Sequence, residues 1–126
     1  MRPMIARAVA LGLVAVAGPT LAQSPPGDAS LGQSLFQDRC GMCHVIGGVG
    51  MGPDLTGVVG RKAASVPGFN YTPALSSSGL TWTRANLDRW LTDPRALVPG
   101  TAMRVKVLNE ADRRNLIAYL TTLSKR

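Results

Sequence analysis

A chain of 126 residues is long enough for one compact domain and short for two. Its aromatic content is only 5%, so a core of ordinary size could borrow its missing bulk from a large buried cofactor. The formal charge of +7, from 14 basic and 7 acidic side chains, admits nucleic acid, an anionic membrane face or acidic proteins as partners. The basic residues are scattered singly and no nucleic-acid-reading motif is present, which leaves acidic proteins in front.

The first two dozen residues have the layout of a secretory signal. Arg2 and Arg7 give a positive start, residues 8–18 are apolar, and Thr20-Leu21-Ala22 offers small residues where a signal peptidase reads. The expected cut falls before Gln23, so residues 1–22 would be removed. Eleven apolar residues are too few for a membrane anchor, which needs about 20. Cleavage leaves 12 basic and 7 acidic residues, a mature charge of +5. Export from a bacterial cytoplasm to the periplasm fits this segment, and no membrane span is expected in the mature chain.

Residues 23–27 hold two prolines and a glycine and read as a mobile leader before a domain covering 28–126. Asp28 is a suitable cap for a first helix running to about Arg39, with Leu31, Leu35 and Phe36 on one face and Gly32 leaving bare backbone beside Phe36. The glycine- and proline-rich stretch from His44 to Gly60 must be irregular, and 61–79 is a second loop of small residues. Thr81 or Thr83 caps a middle helix bearing Leu87, Trp90 and Leu91, which Asp93-Pro94 stops. A Pro99-Gly100 turn follows. A last helix begins near Asn109 or Glu110 and carries Leu116, Ile117, Tyr119 and Leu120. The expected class is all-α, with unusually long loops that a central flat cofactor would explain.

Cys40-Gly41-Met42-Cys43-His44 is a Cys-x-x-Cys-His sequence, the c-type haem attachment motif. One turn of helix end brings two thiols under two vinyl groups, and the next residue can aim an imidazole nitrogen at the iron. A zinc site would need four ligands, and no other cysteine or histidine completes one. A redox dithiol wants a βαβ context that is missing. A plain disulfide suits an exported chain but gives His44 no role.

His44 is the only histidine, so a second histidine ligand within one chain is impossible. Met42 lies inside the attachment loop and cannot reach the opposite haem face. Met51 sits seven residues after His44 and reads as core filler. Met103, 59 residues beyond His44 and after Pro99-Gly100-Thr101, is the expected sixth ligand. Histidine and methionine on one iron give a raised potential and no vacant position, which suits electron transfer.

With these segments in order, the chain resembles the class I cytochromes c, in the mitochondrial and bacterial cytochrome c2-like branch. The resemblance runs from about 28 to 120. It rests on Gly32…Phe36…Cys40-x-x-Cys43-His44, Gly52-Pro53-x-Leu55-x-Gly57-x-x-Gly60-Arg61, Pro67-Gly68-Phe69-x-Tyr71-Thr72, Gly79-Leu80-Thr81-Trp82, Pro99-Gly100-Thr101-x-Met103 and Leu116-Ile117-Ala118-Tyr119-Leu120. It implies a small cytochrome c fold of about three to five helices around one covalent haem c. It also implies that the first and last helices cross at Gly32 and Phe36 against Leu116 and Tyr119. Pro53 would hold the His44 ring N–H through its carbonyl. Arg61, Tyr71, Thr72, Trp82 and Thr101 match positions that bind the haem propionates.

The chain departs from that branch in several places. Trp90 stands where a tyrosine usually lies beside the methionine sulfur, Leu75 replaces an asparagine, Val105 a phenylalanine, and Ala102 a lysine. The mitochondrial lysine ring is therefore absent, and Arg39, Arg104 and Lys106 remain to supply charge at the docking edge. The resulting expectation is a soluble, monomeric periplasmic carrier moving single electrons between redox proteins. A haem subunit docked to a periplasmic dehydrogenase, or a haem peroxidase or gas-binding protein with an open iron site, are the other classes the sequence leaves open.

Overall fold

A computed structural model describes residues 8–19 and 26–124. Arg2, Arg7, the cleavage position before Gln23 and residues 23–25 of the leader lie outside the described residues. Among the described residues five helices appear in order: α1 Ala29–Arg39, α2 Pro73–Ser76, α3 Arg84–Thr92, α4 Pro94–Leu97 and α5 Glu110–Thr122. Among the described residues there is no strand, only an isolated antiparallel bridge between Lys62 and Thr81. No helix there is long and apolar enough to cross a membrane.

Side-chain caps start the helices. Asp28 Oδ1 accepts from the N–H groups of Ser30 and Leu31, Thr83 Oγ1 from Asn86, and Asn109 Oδ1 from Asp112. Glu110 and Asp112 add negative charge to the first turn of α5, where the helix dipole favours it. The short α2 falls inside a stretch expected to be loop. Thr72-Pro73 builds it, the threonine capping Leu75 N–H and the proline taking the first helical position. Asp93-Pro94 does more than stop α3, because Asp93 also caps α4 through Arg95 and Ala96.

α1 crosses α5 at a glycine. A Cβ on Gly32 would run into the Asn115 carbonyl and approach Tyr119 Cβ to 2.9 Å, so no other residue fits without moving backbone. Phe36 packs on Tyr119 with ring centroids 5.4 Å apart, and Leu116 is buried beneath. Asp28 N–H donates to Asn115 Oδ1 at 2.8 Å and Gly27 lies against the Arg114 carbonyl, so the end of the leader belongs with α5. Leu31, expected on the buried face of α1, is 56% exposed, because the crossing is centred on Gly32 and Phe36.

The core joins Phe36, Val58, Trp82, Leu87, Trp90, Leu91, Val98, Val107, Leu116, Ile117 and Leu120. Between Gly41 and Thr81 the chain contributes a single buried residue, Val58. That long irregular stretch therefore has little apolar interior of its own.

Candidate haem site

α1 runs directly into the attachment sequence. Cys40 and Gly41 N–H both bond to the Phe36 carbonyl at 2.8 Å, and His44 N–H bonds to the Cys40 carbonyl at 2.9 Å, which winds Cys40, Cys43 and His44 around the helix end. Cys40 is half-buried against the core and Cys43 is exposed; neither is in a disulfide. Burial pushes the Cys40 thiol above its ordinary value, against the opposing pull of Arg39, so it stays protonated at neutral pH.

His44 Nδ1 lies 2.9 Å from the Pro53 carbonyl oxygen. A carbonyl only accepts, so Nδ1 carries the proton and Nε2 keeps its lone pair for a metal. Gly52 lies flat against the ring, where a Cβ would come within 2.5 Å of Cε1. Gly52 N–H in turn bonds to the Cys43 carbonyl at 2.8 Å, fastening this loop to the attachment turn.

Arg61 is reached through a second fastening. Its carbonyl accepts from Trp82 N–H at 2.8 Å, and Gly60 N–H donates to the Trp82 carbonyl at 2.9 Å, which sets Arg61 beside Trp82. Arg61 Nη1 and Nη2 donate to the carbonyls of Thr56 and Asp54 at 2.9 and 3.0 Å, while buried Nε has no partner. Tyr71 Oη accepts from Val66 N–H at 3.0 Å and Thr72 Oγ1 from Leu75 N–H at 3.3 Å, so both hydroxyl protons stay available to donate. Thr101 is buried after the Pro99-Gly100 turn, which Gly100 makes at φ +92.

Trp90 Nε1–H donates to Met103 Sδ at 3.2 Å. Trp90 meets Trp82 edge-on, with ring centroids 5.0 Å apart, and both rings are buried. Met103 and Cys40 pack on the same core cluster. Met42 and Met51 point into solvent, at 91% and 84% exposed. Met51 is therefore not core filler: the loop that carries it is pinned through Gly50 and Gly52 to Cys43, which turns the intervening side chain outward.

The family model that matches residues 29–124 is that of cytochrome c. The chain belongs to the cytochrome c family. It is 47% identical over 100 residues to cytochrome c2 of Rhodomicrobium vannielii, covering 76% of this chain and 79% of that one. With cytochrome c2 of Rhodoblastus acidophilus it shares 48% over 99 residues, covering 75% and 92%. The solved structure of cytochrome cH from Methylobacterium extorquens superposes with a TM-score of 0.73 at 43% identity, over 76% of this chain and 99% of that one. As a cytochrome c, this protein carries one covalently bound haem c, for which Cys40 and Cys43 fit the attachment motif, and it is an electron carrier and not an enzyme.

The residues present fit such a group. A buried guanidinium nitrogen without a partner is what a carboxylate would satisfy. The sparse apolar interior between Gly41 and Thr81 is what a flat porphyrin would supply. Two surface clefts, of about 330 and 600 Å³, include none of these residues; Gly57, Leu120 and Ser124 line one, Arg84, Glu110 and Arg114 the other.

Three side chains important to the arrangement escaped sequence reasoning. Asp54 accepts from Gly47 N–H, Thr56 N–H and Thr56 Oγ1, folding the loop after His44; Asp-x-Thr was its only signal. Arg113, 9% exposed, donates to Asp88 and to the carbonyls of Val107 and Leu108. Nothing in the sequence marks it. Asp93 grips Lys106 at 2.7 Å, so one of the three cations expected at the docking edge is already paired, whereas Arg39 and Arg104 are exposed without a carboxylate partner among the described residues. Arg39 also donates to the Lys106 carbonyl at 3.3 Å.

Proposed function

We propose that this cytochrome is a soluble periplasmic carrier in which His44 and Met103 are the two axial ligands of the haem iron. The observation that carries this reading is the pair of fixed ligand atoms. The Pro53 carbonyl holds the His44 proton on Nδ1, leaving Nε2 free, and the Trp90 indole N–H fixes Met103 Sδ from behind. When bound, haem supplies a reversible one-electron ferrous–ferric couple.

The chain's own residues do the rest. Cys40 and Cys43 provide the thioether links. Arg61 Nε, the hydroxyl protons of Tyr71 and Thr72, the Trp82 indole N–H and the Thr101 hydroxyl are the donors proposed for the propionates. Trp82 and Trp90 keep water from the methionine side. Residues 1–22 act as the cleaved export signal, residues 28–126 form the carrier domain, and the mature protein works as a monomer that meets redox proteins at the exposed edge.

The test is the spectrum and location of the protein made in a bacterium able to attach haem. A methionine-to-iron charge-transfer band in the ferric protein, lost in Met103→Ala and kept in Met51→Leu, supports the ligand set. A high-spin ferric iron with bound water overturns it. Mature protein beginning at Gln23 in the periplasmic fraction supports the location; a retained signal in the cytoplasm overturns it.

A further inference from the structure

The segment between α4 and α5, residues 98–109, carries Met103. Its ends are well tied. Thr101 N–H bonds to the Val98 carbonyl at 3.1 Å, Val107 N–H bonds to the Leu91 carbonyl at 2.7 Å, and Arg113 holds the carbonyls of Val107 and Leu108. The middle is different. Among the described residues no hydrogen bond uses a backbone group of residues 102–105. This strap therefore has no ladder of its own, and its position rests on side chains. They are few: Trp90 to Met103 Sδ, Arg39 to the Lys106 carbonyl, and the ion pair of Lys106 with Asp93.

We infer that Asp93 is a positioning residue for Met103, and that its ion pair with Lys106 latches the open side of the strap. The two oxygens of Asp93 divide the work. Oδ1 accepts from Arg95 and Ala96 N–H at 3.2 Å and fixes the start of α4, while Oδ2 reaches across the strap to Lys106 Nζ at 2.7 Å. One carboxylate thus ties the start of α4, which leads into the strap, to Lys106 on the far side of Met103. The Lys106 bond foremost, with the α4 N–H groups, holds the Asp93 carboxyl below its ordinary value, as a working pair requires. Lys106 is half-exposed and Asp93 is 31% exposed, so the latch is modest and weakens with salt. Its purpose is kinetic: it slows the opening through which other ligands reach the iron. The inference rests on Met103 being the ligand.

The experiment uses the haem-loaded mature protein with Asp93→Asn, Lys106→Gln and Lys106→Arg. Asparagine keeps the oxygen that caps α4 and removes only the charge. Two rates are read: amide hydrogen exchange at Val107, whose N–H bond to the Leu91 carbonyl closes the strap, and displacement of the methionine band by added imidazole. Asp93→Asn and Lys106→Gln should each raise both rates about two- to five-fold, the yield of a partly exposed ion pair. Lys106→Arg should stay near wild type, and high salt should bring wild type up to the variants. Unchanged rates in both charge-removing variants overturn the latch. So does a rise in Asp93→Asn alone, which would make Asp93 only a helix cap. If wild type shows no methionine band, the ligand assignment fails, and the exchange rate at Val107 still decides whether the pair restrains the strap.

Discussion

The indole N–H of Trp90 donates to the sulfur of Met103 across 3.2 Å, inside a core where Trp82 presses edge-on against Trp90. With Met103 as the proposed sixth ligand, a donor on the sulfur would draw electron density from it and weaken its support of ferric iron more than of ferrous. Trp90→Phe should therefore lower the reduction potential. A whole hydrogen bond of about 1 kcal/mol corresponds to ~40 mV on a one-electron couple, and only part of it differs between oxidation states. The expected drop is some tens of millivolts at most, checked by redox titration. A rise in potential would mean that the indole is not donating to the sulfur.

The α1–α5 crossing should tolerate no side chain at position 32. Gly32→Ala forces a Cβ into the Asn115 carbonyl, and displaced backbone costs about 1–3 kcal/mol or more. The exposed neighbour Gln33→Ala should stay within about 0.5 kcal/mol of wild type. Denaturant midpoints of the two variants check this, and equal midpoints would refute the close approach.

Arg113 should prove more costly to remove than any surface arginine. Arg113→Met leaves the carbonyls of buried Val107 and of Leu108 without donors, at about 1–3 kcal/mol for each acceptor that stays dry. Arg113→Lys should recover only part of the loss, because one ammonium cannot serve Asp88 and both carbonyls together. Unfolding curves for the three proteins decide it.

Acid should weaken the fold through Asp54 and Asp93. Burial pushes the Asp54 carboxyl up, but bonds from Gly47 and Thr56 and the charge of Arg61 outweigh it and hold the group below its ordinary 3.8. Asp93 is likewise held below 3.8, chiefly by Lys106. In that window the unfolded chain binds more protons than the folded one, so stability rises with pH. The contribution is complete above 3.8 and is lost as pH falls below it through the folded values. Asp54→Asn keeps the accepting oxygen and removes the charge, so its stability should fall less steeply over the same acid range. Parallel slopes for wild type and variant would contradict the depressed value.

Steering toward acidic redox partners should depend on Arg39 and Arg104. Lys106 already faces Asp93, so neutralising both with Asp93→Asn/Lys106→Gln should leave the salt dependence of the bimolecular electron-transfer rate nearly unchanged. Arg39→Gln and Arg104→Gln should each flatten it. Stopped-flow rates across ionic strength distinguish the cases, and a rate insensitive to salt in wild type would place the excess charge elsewhere.

The sequence by itself determined the haem-attachment chemistry and the three longer helices. Cys40, Cys43 and His44 form a local pattern within one turn, and Asp28, Thr83 and Asn109 announce helix starts through bonds to N–H groups two or three residues on. Such short-range physics needs no knowledge of the rest of the chain. What lay beyond it was every relationship across the fold. Thr72-Pro73 lies in a stretch expected to be loop, Met51 reads as core filler, and Arg113 carries no signal. Only the tertiary structure brings Asp93 to Lys106, Trp90 to Met103 and Arg113 to the carbonyls of Val107 and Leu108. Residues 102–105 make no backbone bonds, so nothing local could fix them, and side chains from α1, α3 and the α3–α4 junction had to.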